Sequence, residues 1–493
     1  MNGRDVTRNI ARVTSVQSLL AVSLVWAAIY LPALGSLELK GEEGRRILPA
    51  VQMLETGHYI VPEVGGEPYL SKPPLVNWLV AASFGLFQSR NEWSARLPSA
   101  VCVLLVAIAF MTVARSSLGA RGSTIAALIW LTSFGLIEKG RLIEIEALYV
   151  SLFALAFISW LSWHTQKRSI WFTWAVPWGF LGLGLLAKGP THLFFFYALV
   201  IAVLWKNGEL PTLWNPAHAT GIAIMSSIFA AWAIPCAQLA GEHQVTSSWK
   251  SQIWIALADF KLSGWLLNIP RSLAYFLPWL VFVSLVSKAT FRSEREKKTV
   301  HGLIWGTALP LLIVDLIPGW LPRYGMPLLA PAAWFIAATF LAETVHWPLW
   351  LGGKPFSWQH RQRTVAGIVI ITCVCLWIYA VAIVPYLQHR EKVRPIAAQI
   401  DSLVPPAQPL YAVDPDFQPY LFYVRRRIIY RDSIQVLPRS ARYFLVQAAV
   451  EPAAESATQW SPAHPSPILR IEDYRHIKTV LFAIEPPDQN LPR

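Results

Sequence analysis

The chain has 493 residues, 54% hydrophobic and only 14% charged, with a mean hydropathy of +0.41. A soluble domain carries about a quarter charged residues, so a soluble globular protein is excluded and the repeated apolar runs identify a polytopic membrane protein. The formal net charge of +13 would point to nucleic acid in a soluble chain, but most of the cations lie in short loops between apolar runs, where they set orientation instead.

The N-terminus carries Arg4, Arg8 and Arg12, then an apolar run from Val16 to Leu34. Ala33-Leu34-Gly35 resembles a cleavage site, but the run is long enough to cross a bilayer, so it is read as a retained first helix. Eleven candidate spans follow from hydropathy: 16–35, 95–114, 122–139, 144–162, 171–187, 190–205, 218–239, 271–288, 301–317, 324–343 and 364–385. Alternate junctions are basic: Arg115 and Arg121, Lys167 and Arg168, Lys206, the run Lys288 to Lys298, then Lys354, Arg361 and Arg363. That side is expected to be cytoplasmic, with the N-terminus. Pro177, Pro235, Pro278, Pro310 and Pro327 fall within spans and are read as tolerated kinks.

The opposite side receives three longer pieces. The first is the 37–94 loop, which carries surface helices. The second, about 240–270, mixes Trp249, Trp254 and Trp265 with charge and is expected to be an amphipathic surface helix. The third is the tail from Glu391, richer in charge and proline. Its stretch RPIAAQIDSLV predicts a helix with Ile396, Ile400 and Leu403 on one stripe, and PLYAV, YLFYV, RRIIY, ARYFLVQA and IKTVLFAIE predict strands. The expected fold is therefore mainly α, a transmembrane bundle of about 11–13 spans over 1–390, with a small α/β domain outside the membrane over 391–493. The four cysteines, Cys102, Cys236, Cys373 and Cys375, lie in apolar segments with no C-x-x-C pair, so neither a disulfide framework nor a zinc knuckle is supported.

Five polar constellations fall on the outer side. Glu42 and Glu43 sit just after the first span with Arg45 and Arg46; they read either as a solvated loop with Glu42–Arg45 and Glu42–Arg46 pairs at helical spacing or as a general base with its partner. Lys72 lies in Ser71-Lys72-Pro73-Pro74, either an interfacial anchor or a phosphate clamp, with the Tyr69 hydroxyl three residues before it. Glu138, Arg141, Glu144 and Glu146 straddle a span junction, where ionisable groups are costly. Pairing of Arg141 with Glu138 and Glu144 would leave Glu146 without a local partner. Lys188 stands on a Gly189-Pro190 turn against the positive-inside trend. Arg323 and Tyr324 sit among prolines, as anchors or as a bidentate anion contact. Their common sidedness is a stronger signal than any one of them.

In that order the motifs resemble the GT-C, lipid-carrier-dependent glycosyltransferases, closest to the bacterial aminoarabinose transferases that act on lipid A and to the protein O-mannosyltransferases. The residues that carry the resemblance are Glu42-Glu43-Gly44-Arg45, MLETG at 53–57, Ser71-Lys72-Pro73-Pro74, NEWSARLPSA at 91–100, Arg141 with Glu146, LAKGP at 186–190, and Pro322, Tyr324, Pro327 and Pro331. It runs from about residue 37 to 335. It implies a cell (inner) membrane enzyme that takes a sugar from a polyprenyl-phosphate carrier, with inversion, and gives it to a lipid, glycan or protein acceptor on the outer face, the tail lying in the periplasm or outside the cell. Glu42 and Glu146 would be the catalytic acids. Glu43, Arg45, Tyr69, Lys72, Lys188, Arg323 and Tyr324 would bind substrate. Two family aspartates are Glu here, at 42 and 146, and the family Glu before Lys-Pro-Pro is Ser71. A divalent cation would lack that ligand, and no cofactor is fixed by the residues. Pro49 would start a surface helix at its first turn. No nucleic-acid partner is expected. The competing readings are a transporter or lipid flippase, which would show charged mid-span residues and paired broken helices in similar halves, and a catalytically inactive scaffold derived from the family.

Overall fold

The structure is a computed structural model that describes residues 3–244, 246–247, 262–461, 463–473 and 476–484, with side chains described from residue 16 onward. Most of the amphipathic helix expected over 240–270, Trp249 and Trp254 included, lies outside those residues. The chain forms two compact units: residues 1–34, 71–76 and 96–382, and residues 35–70, 77–95 and 383–493.

The first unit is a helical bundle. Its elements are α1 (Gly3–Tyr30), the body of α4 (Glu92–Thr112), α5 (Arg115–Thr132), α6 (Phe134–Lys139), α7 (Ile145–Thr165), α8 (Ile170–Ala187), α9 (Thr191–Asn207), α10 (Pro216–Ala240), α11 (Asn268–Ala274), α12 (Glu294–Leu316), α13 (Leu329–Phe340) and α14 (Trp358–Ile378). Each of the eleven expected spans overlaps a helix, with 271–288 interrupted by a turn at 275–278. Among the described residues six helices are long and apolar enough to cross a membrane, and seven if α11 and the helix Trp279–Lys288, bent by 89° at their junction, count as one broken span. Several of the rest, such as α9, are apolar but shorter.

Without a hydrophobic drive between helices in lipid, close packing needs small residues where backbones approach. Gly302 and Gly306 of α12, spaced as G-x-x-x-G, do this against α9: an added Cβ would lie 2.8 Å from Cα of Val203 and 2.8 Å from Cα of Leu199, respectively. Replacing Gly306 by Val is therefore expected to lower the unfolding free energy by about 1–3 kcal/mol through overpacking, read as a drop in thermal midpoint in detergent or nanodiscs. An unchanged midpoint would show that the two helices are free to separate. Between α7, α8, α9 and α10 the core is aromatic. Trp174 and Trp178, both fully buried, lie 5.1 Å apart by ring centroid, and Trp178 meets Phe196 edge-on at 5.0 Å.

The second unit interlaces the first loop with the tail. Here lie α2 (Gly44–Thr56), the hairpin β1 (Glu63–Val64) and β2 (Glu67–Pro68), most of α3 (Leu75–Phe87), α15 (Val393–Leu403) and five strands: β5 (Leu410–Val413), β6 (Ile428–Arg431), β7 (Tyr443–Gln447), β8 (Pro465–Glu472) and β9 (Lys478–Ile484); the two-residue pair β3 (Ala289–Thr290) and β4 (Thr344–Val345) belongs to the bundle. The sheet order is β6-β5-β7-β9-β8, parallel across β6-β5-β7 and antiparallel across β7-β9-β8. Phe444 stacks between Trp460 and Phe482 in its core.

Several expectations for this region are corrected. YLFYV is a 3-10 turn, Pro419–Phe422, and PSPILRIE is the strand β8. The helix Val393–Leu403 exists, but it buries Val393, Ala397 and Ile400, while Leu403 is exposed. Pro49 lies inside α2, which begins at Gly44. There it removes one interior helical hydrogen bond, the one to the Arg45 carbonyl, which its ring also crowds. The turn of the β1–β2 hairpin is Gly65-Gly66, both with positive φ (68° and 92°), the geometry that two-residue hairpin turns require.

Two carboxylates bind the segments of this unit together. Glu38 accepts from the backbone N–H groups of Lys392 (2.9 Å), Val393 (2.7 Å) and Arg394 (3.0 Å), so an acid from the first loop neutralises the positive end of α15. Glu92 accepts from the Tyr423 hydroxyl at 2.8 Å and pairs with Arg394.

Candidate active site

In the bundle, four of the residues singled out by sequence meet at one point. α7 begins at Ile145, so Glu146 stands in its first turn, where a carboxylate is favoured by the helix dipole. It is 6% exposed. Lys188, which ends α8, donates from Nζ to Glu146 Oε1 at 3.2 Å. Arg323 Nε lies 3.0 Å from the same oxygen. Arg323 and Tyr324 ride on the 3-10 turn Pro322–Leu328, whose prolines fix its path. The Lys188 ammonium also sits 4.3 Å from the Tyr324 ring centroid and 5.2 Å from that of Tyr149, held by two aromatic faces.

Lys188 and Arg323 share the carboxylate of Glu146, the Glu144 carboxylate is near enough to be felt at Glu146 and Arg323, and Lys72, also in this unit, is near enough for its charge to be felt at Lys188. Burial pushes the Lys188 ammonium below its usual range. Glu146 opposes that shift, and Arg323 and Lys72 add to it. An anion entering here would meet the Lys188 ammonium, 10% exposed, and the Arg323 guanidinium, whose side chain is 30% exposed; the attraction is stronger at the less solvated of the two.

Arg141 does not pair as expected. Lys139 bridges Glu138 at 3.0 Å and Glu144 at 3.1 Å, and the Arg141 guanidinium donates to the carbonyls of Ile29 and Pro32 instead. Lys139 lies between the two acids in sequence and reaches both, which frees Arg141 to fasten α1 to the turn before α7. At the far end of α7, about 27 Å along its axis from Glu146 at 1.5 Å per residue, His164 bonds Glu209 at 2.7 Å and Arg295 pairs with the same acid at 3.0 Å. The sequence reading passed over this cluster, whose members are far apart in the chain.

The remaining sequence candidates lie in the second unit. Glu42 pairs with Arg45 at 3.2 Å, both about two-fifths exposed, as the helical spacing predicted. The Arg45 guanidinium also lies 3.8 Å from the Phe417 ring centroid. Arg46 does not join Glu42. It is 7% exposed and donates to the Tyr69 hydroxyl at 3.0 Å, a partner the sequence reading did not give it. Glu43 is 1% exposed and accepts from the Lys40 N–H at 3.1 Å, so its carboxylate closes the turn that leads into α2. Among the described residues no group of three or more His, Cys, Asp or Glu side chains gathers as metal ligands. With Glu146 already held by two cations, the bundle centre does not fit a divalent ion.

A family model for dolichyl-phosphate-mannose-protein mannosyltransferases matches residues 71–234. Those residues hold Lys72, Glu146 and Lys188. More particularly, the chain is 27% identical over 308 residues to the undecaprenyl phosphate-alpha-4-amino-4-deoxy-L-arabinose arabinosyl transferase of Pseudomonas savastanoi pv. phaseolicola, covering 60% of this chain and 56% of that protein. It is 28% identical over 339 residues to the transferase of the same name from Erwinia tasmaniensis, covering 64% and 58%. The chain thus covers a little over half the length of these relatives. The solved structure of ArnT from Cupriavidus metallidurans bound to undecaprenyl phosphate superposes with a TM-score of 0.67 at 16% identity, covering 95% of this chain and 97% of that one. The chain therefore has the ArnT fold, of the GT-C type, in a multi-pass membrane protein, and it resembles the lipid-carrier-dependent glycosyltransferases in sequence.

Proposed function

We propose that the protein is a membrane glycosyltransferase that moves a sugar from a polyprenyl-phosphate carrier to an acceptor on the outer face of the membrane. The observation that carries this reading is the pair of cations, Lys188 and the part-exposed Arg323, on the buried Glu146, with the Lys188 ammonium against the rings of Tyr149 and Tyr324. A leaving phosphate gains negative charge as its bond to the sugar breaks, and preorganised cations in a dry site stabilise that charge most. The acceptor hydroxyl or amine gives its proton to a carboxylate while its lone pair forms the new bond to the anomeric carbon. The carbon–oxygen bond to the phosphate breaks on the opposite face, and the carrier leaves as polyprenyl phosphate with the sugar inverted. Glu42 takes the base role by its resemblance to the family acid. Lys72, Lys188 and Arg323 hold the phosphate, and Glu146 keeps two of those cations in place. The relatives named above support a 4-amino-4-deoxy-arabinose as the first sugar to test. The alternating basic junctions support a cytoplasmic N-terminus and an outer-face tail.

The deciding experiment is a profile of lipid-linked sugars in a deletion strain. Loss of the protein should leave one polyprenyl-phosphate sugar unspent and one outer-face glycoconjugate missing. An unchanged profile would reject the transferase reading in favour of a transporter or an inactive scaffold. In the same strain Lys72→Ala should leave transfer about 30- to 150-fold down, because a charge-assisted phosphate contact is worth roughly 2–3 kcal/mol; rescue equal to wild type would remove Lys72 from the phosphate site.

A further inference from the structure

A groove of about 550 Å³ lies between α1, α5 and α14, three helices that pack against one another within the bundle. Its floor is apolar, built from Val22 of α1, Ile125 of α5, and Val365 and Val369 of α14, all buried. On α14 it reaches from Trp358 to Ile370, a rise of about 18 Å at 1.5 Å per residue.

At one end the lining becomes cationic. Arg121 lines the groove, and its guanidinium lies 5.5 Å from the Trp358 ring centroid. Arg361 lies 5.6 Å from the same ring. The two arginines differ in what they hold. Arg361 is 5% exposed and donates to the carbonyls of Phe340 and Ala342. Arg121 is exposed, and among the described residues neither guanidinium pairs with a carboxylate. Two cations beside one indole repel each other, and an anion at the mouth relieves that repulsion. The Arg121 fork is matched in shape to phosphoryl oxygens, and Gln362 adds an amide at the same end.

This mouth lies at the opposite end of the helices from the candidate active site. Tyr30, the last residue of α1, donates to the Leu131 carbonyl near the end of α5 at 3.0 Å. Arg141, in the turn before α7, grips Ile29 and Pro32 at that same end. From Leu131 back to Arg121 the rise along α5 is about 15 Å. The groove therefore runs from the far face of the bundle toward its middle. One leaflet is half of a hydrocarbon core of roughly 30 Å, so the groove is about as long as one leaflet is deep. Arginine and tryptophan at its mouth are the side chains that settle at headgroup level, with their apolar parts in the chains below.

We infer that the groove seats one anionic glycerophospholipid of the leaflet opposite the candidate active site, with its phosphate on Arg121 and one acyl chain along the valine floor. Basic pockets between transmembrane helices recognise lipid headgroups in this way. The apolar floor favours a lipid over free phosphate, and the single-leaflet length favours an ordinary acyl chain over a polyprenyl chain. The site stands independently of the transferase reading, because none of Glu42, Lys72, Glu146, Lys188 and Arg323 lines it.

The test uses the full chain in mild detergent with equimolar phosphatidylglycerol and phosphatidylcholine, and counts the lipids retained by native mass spectrometry. Wild type should retain one phosphatidylglycerol in preference to phosphatidylcholine. Arg121→Gln should weaken that retention about tenfold, the loss of a hydrogen bond to a charged group, and Arg121→Lys should keep most of it. Ala366→Trp, which fills the groove and leaves Arg121 in place, should weaken it as much as Arg121→Gln. Arg168→Gln, a cation outside the groove, should leave it unchanged. Thermal midpoints in phosphatidylcholine alone, within a few degrees of wild type, certify the fold of each variant. Equal retention of the two lipids by wild type, or equal phosphatidylglycerol retention by wild type and folded Arg121→Gln, overturns the phosphate contact. Undiminished retention by folded Ala366→Trp overturns the acyl seat. Displacement by inorganic phosphate or by equimolar polyprenyl phosphate overturns the choice of a leaflet phospholipid. Sugar profiles in the deletion strain are a separate readout, so failure of one reading leaves the other standing.

Discussion

Replacing Glu146 by Gln is expected to lower sugar transfer by at least a thousandfold and to destabilise the bundle as well. Glu146 Oε1 is shared by Lys188 at 3.2 Å and Arg323 at 3.0 Å, and the acid is 6% exposed. Removing one partner of a buried ion pair leaves the other charges uncompensated, at a cost of about 3–5 kcal/mol. The amide keeps the shape but presents a neutral oxygen, so Lys188 and Arg323 repel each other and swing out of register for phosphate. A displacement of about 1 Å in such groups is enough to cost a hundredfold, and the lost charge accounts for the rest. The assay is conversion of a purified polyprenyl-phosphate sugar, read beside the thermal midpoint. Glu146→Asp separates the two effects: it restores the charge with a side chain one methylene shorter, so it should recover most of the stability and only part of the rate. Wild-type transfer by Glu146→Gln would remove Glu146 from the reaction altogether.

Glu42→Gln is expected to abolish transfer with little change in stability. Its carboxylate is about two-fifths exposed and makes one surface-type pair with Arg45, an interaction worth only about 0–1 kcal/mol. A base removed from a proton-transfer step costs about 10²–10⁴ in rate. The contrast with Glu146 is the diagnostic: loss of rate without loss of midpoint marks a group that acts on substrate, whereas loss of both marks one that also holds the scaffold. Membrane insertion should be unaffected, as judged by yield in the membrane fraction. Full activity in Glu42→Gln would end its assignment as base and leave the Glu42–Arg45 pair as a surface contact at the start of α2.

Most of the bundle was legible because the bilayer imposes a length and a polarity that a linear sequence displays directly. The span expected at 218–239 lies within α10, and that at 144–162 begins one residue before α7. The candidate cluster was legible in its members, since Glu146, Lys188 and Arg323 are all ionisable groups at span ends, where such groups are costly. Their grouping was not, because pairing between positions 42 and 177 residues apart depends on how helices return, and no local pattern encodes that. The sequence suggested local partners for Arg141; the fold gave it the carbonyls of Ile29 and Pro32.

The tail shows the same boundary. Strands with runs of β-branched and aromatic residues were found, whereas β8, interrupted by Pro467, was missed. Pro467 is tolerated because β8 is an edge strand with its ladder irregularity at that point. The Gly65-Gly66 hairpin carried a readable turn signal that was overlooked. The buried stripe of α15 was misplaced by a fraction of a turn, since a short amphipathic helix can rotate toward whichever neighbour covers it.

By itself, then, the sequence determined that this is a multi-span membrane protein with acidic and basic groups at its span ends, because hydropathy, charge placement and motif order are properties of neighbouring residues. Only the tertiary structure decided that Glu146 is the shared anchor of Lys188 and Arg323. It also decided that the first loop and the tail fold as one unit through Glu38 and Glu92, and that four arginines of the tail line a cavity. Each of these depends on contacts between distant segments, whose geometry is set by packing and by the need of every buried charge to find a partner.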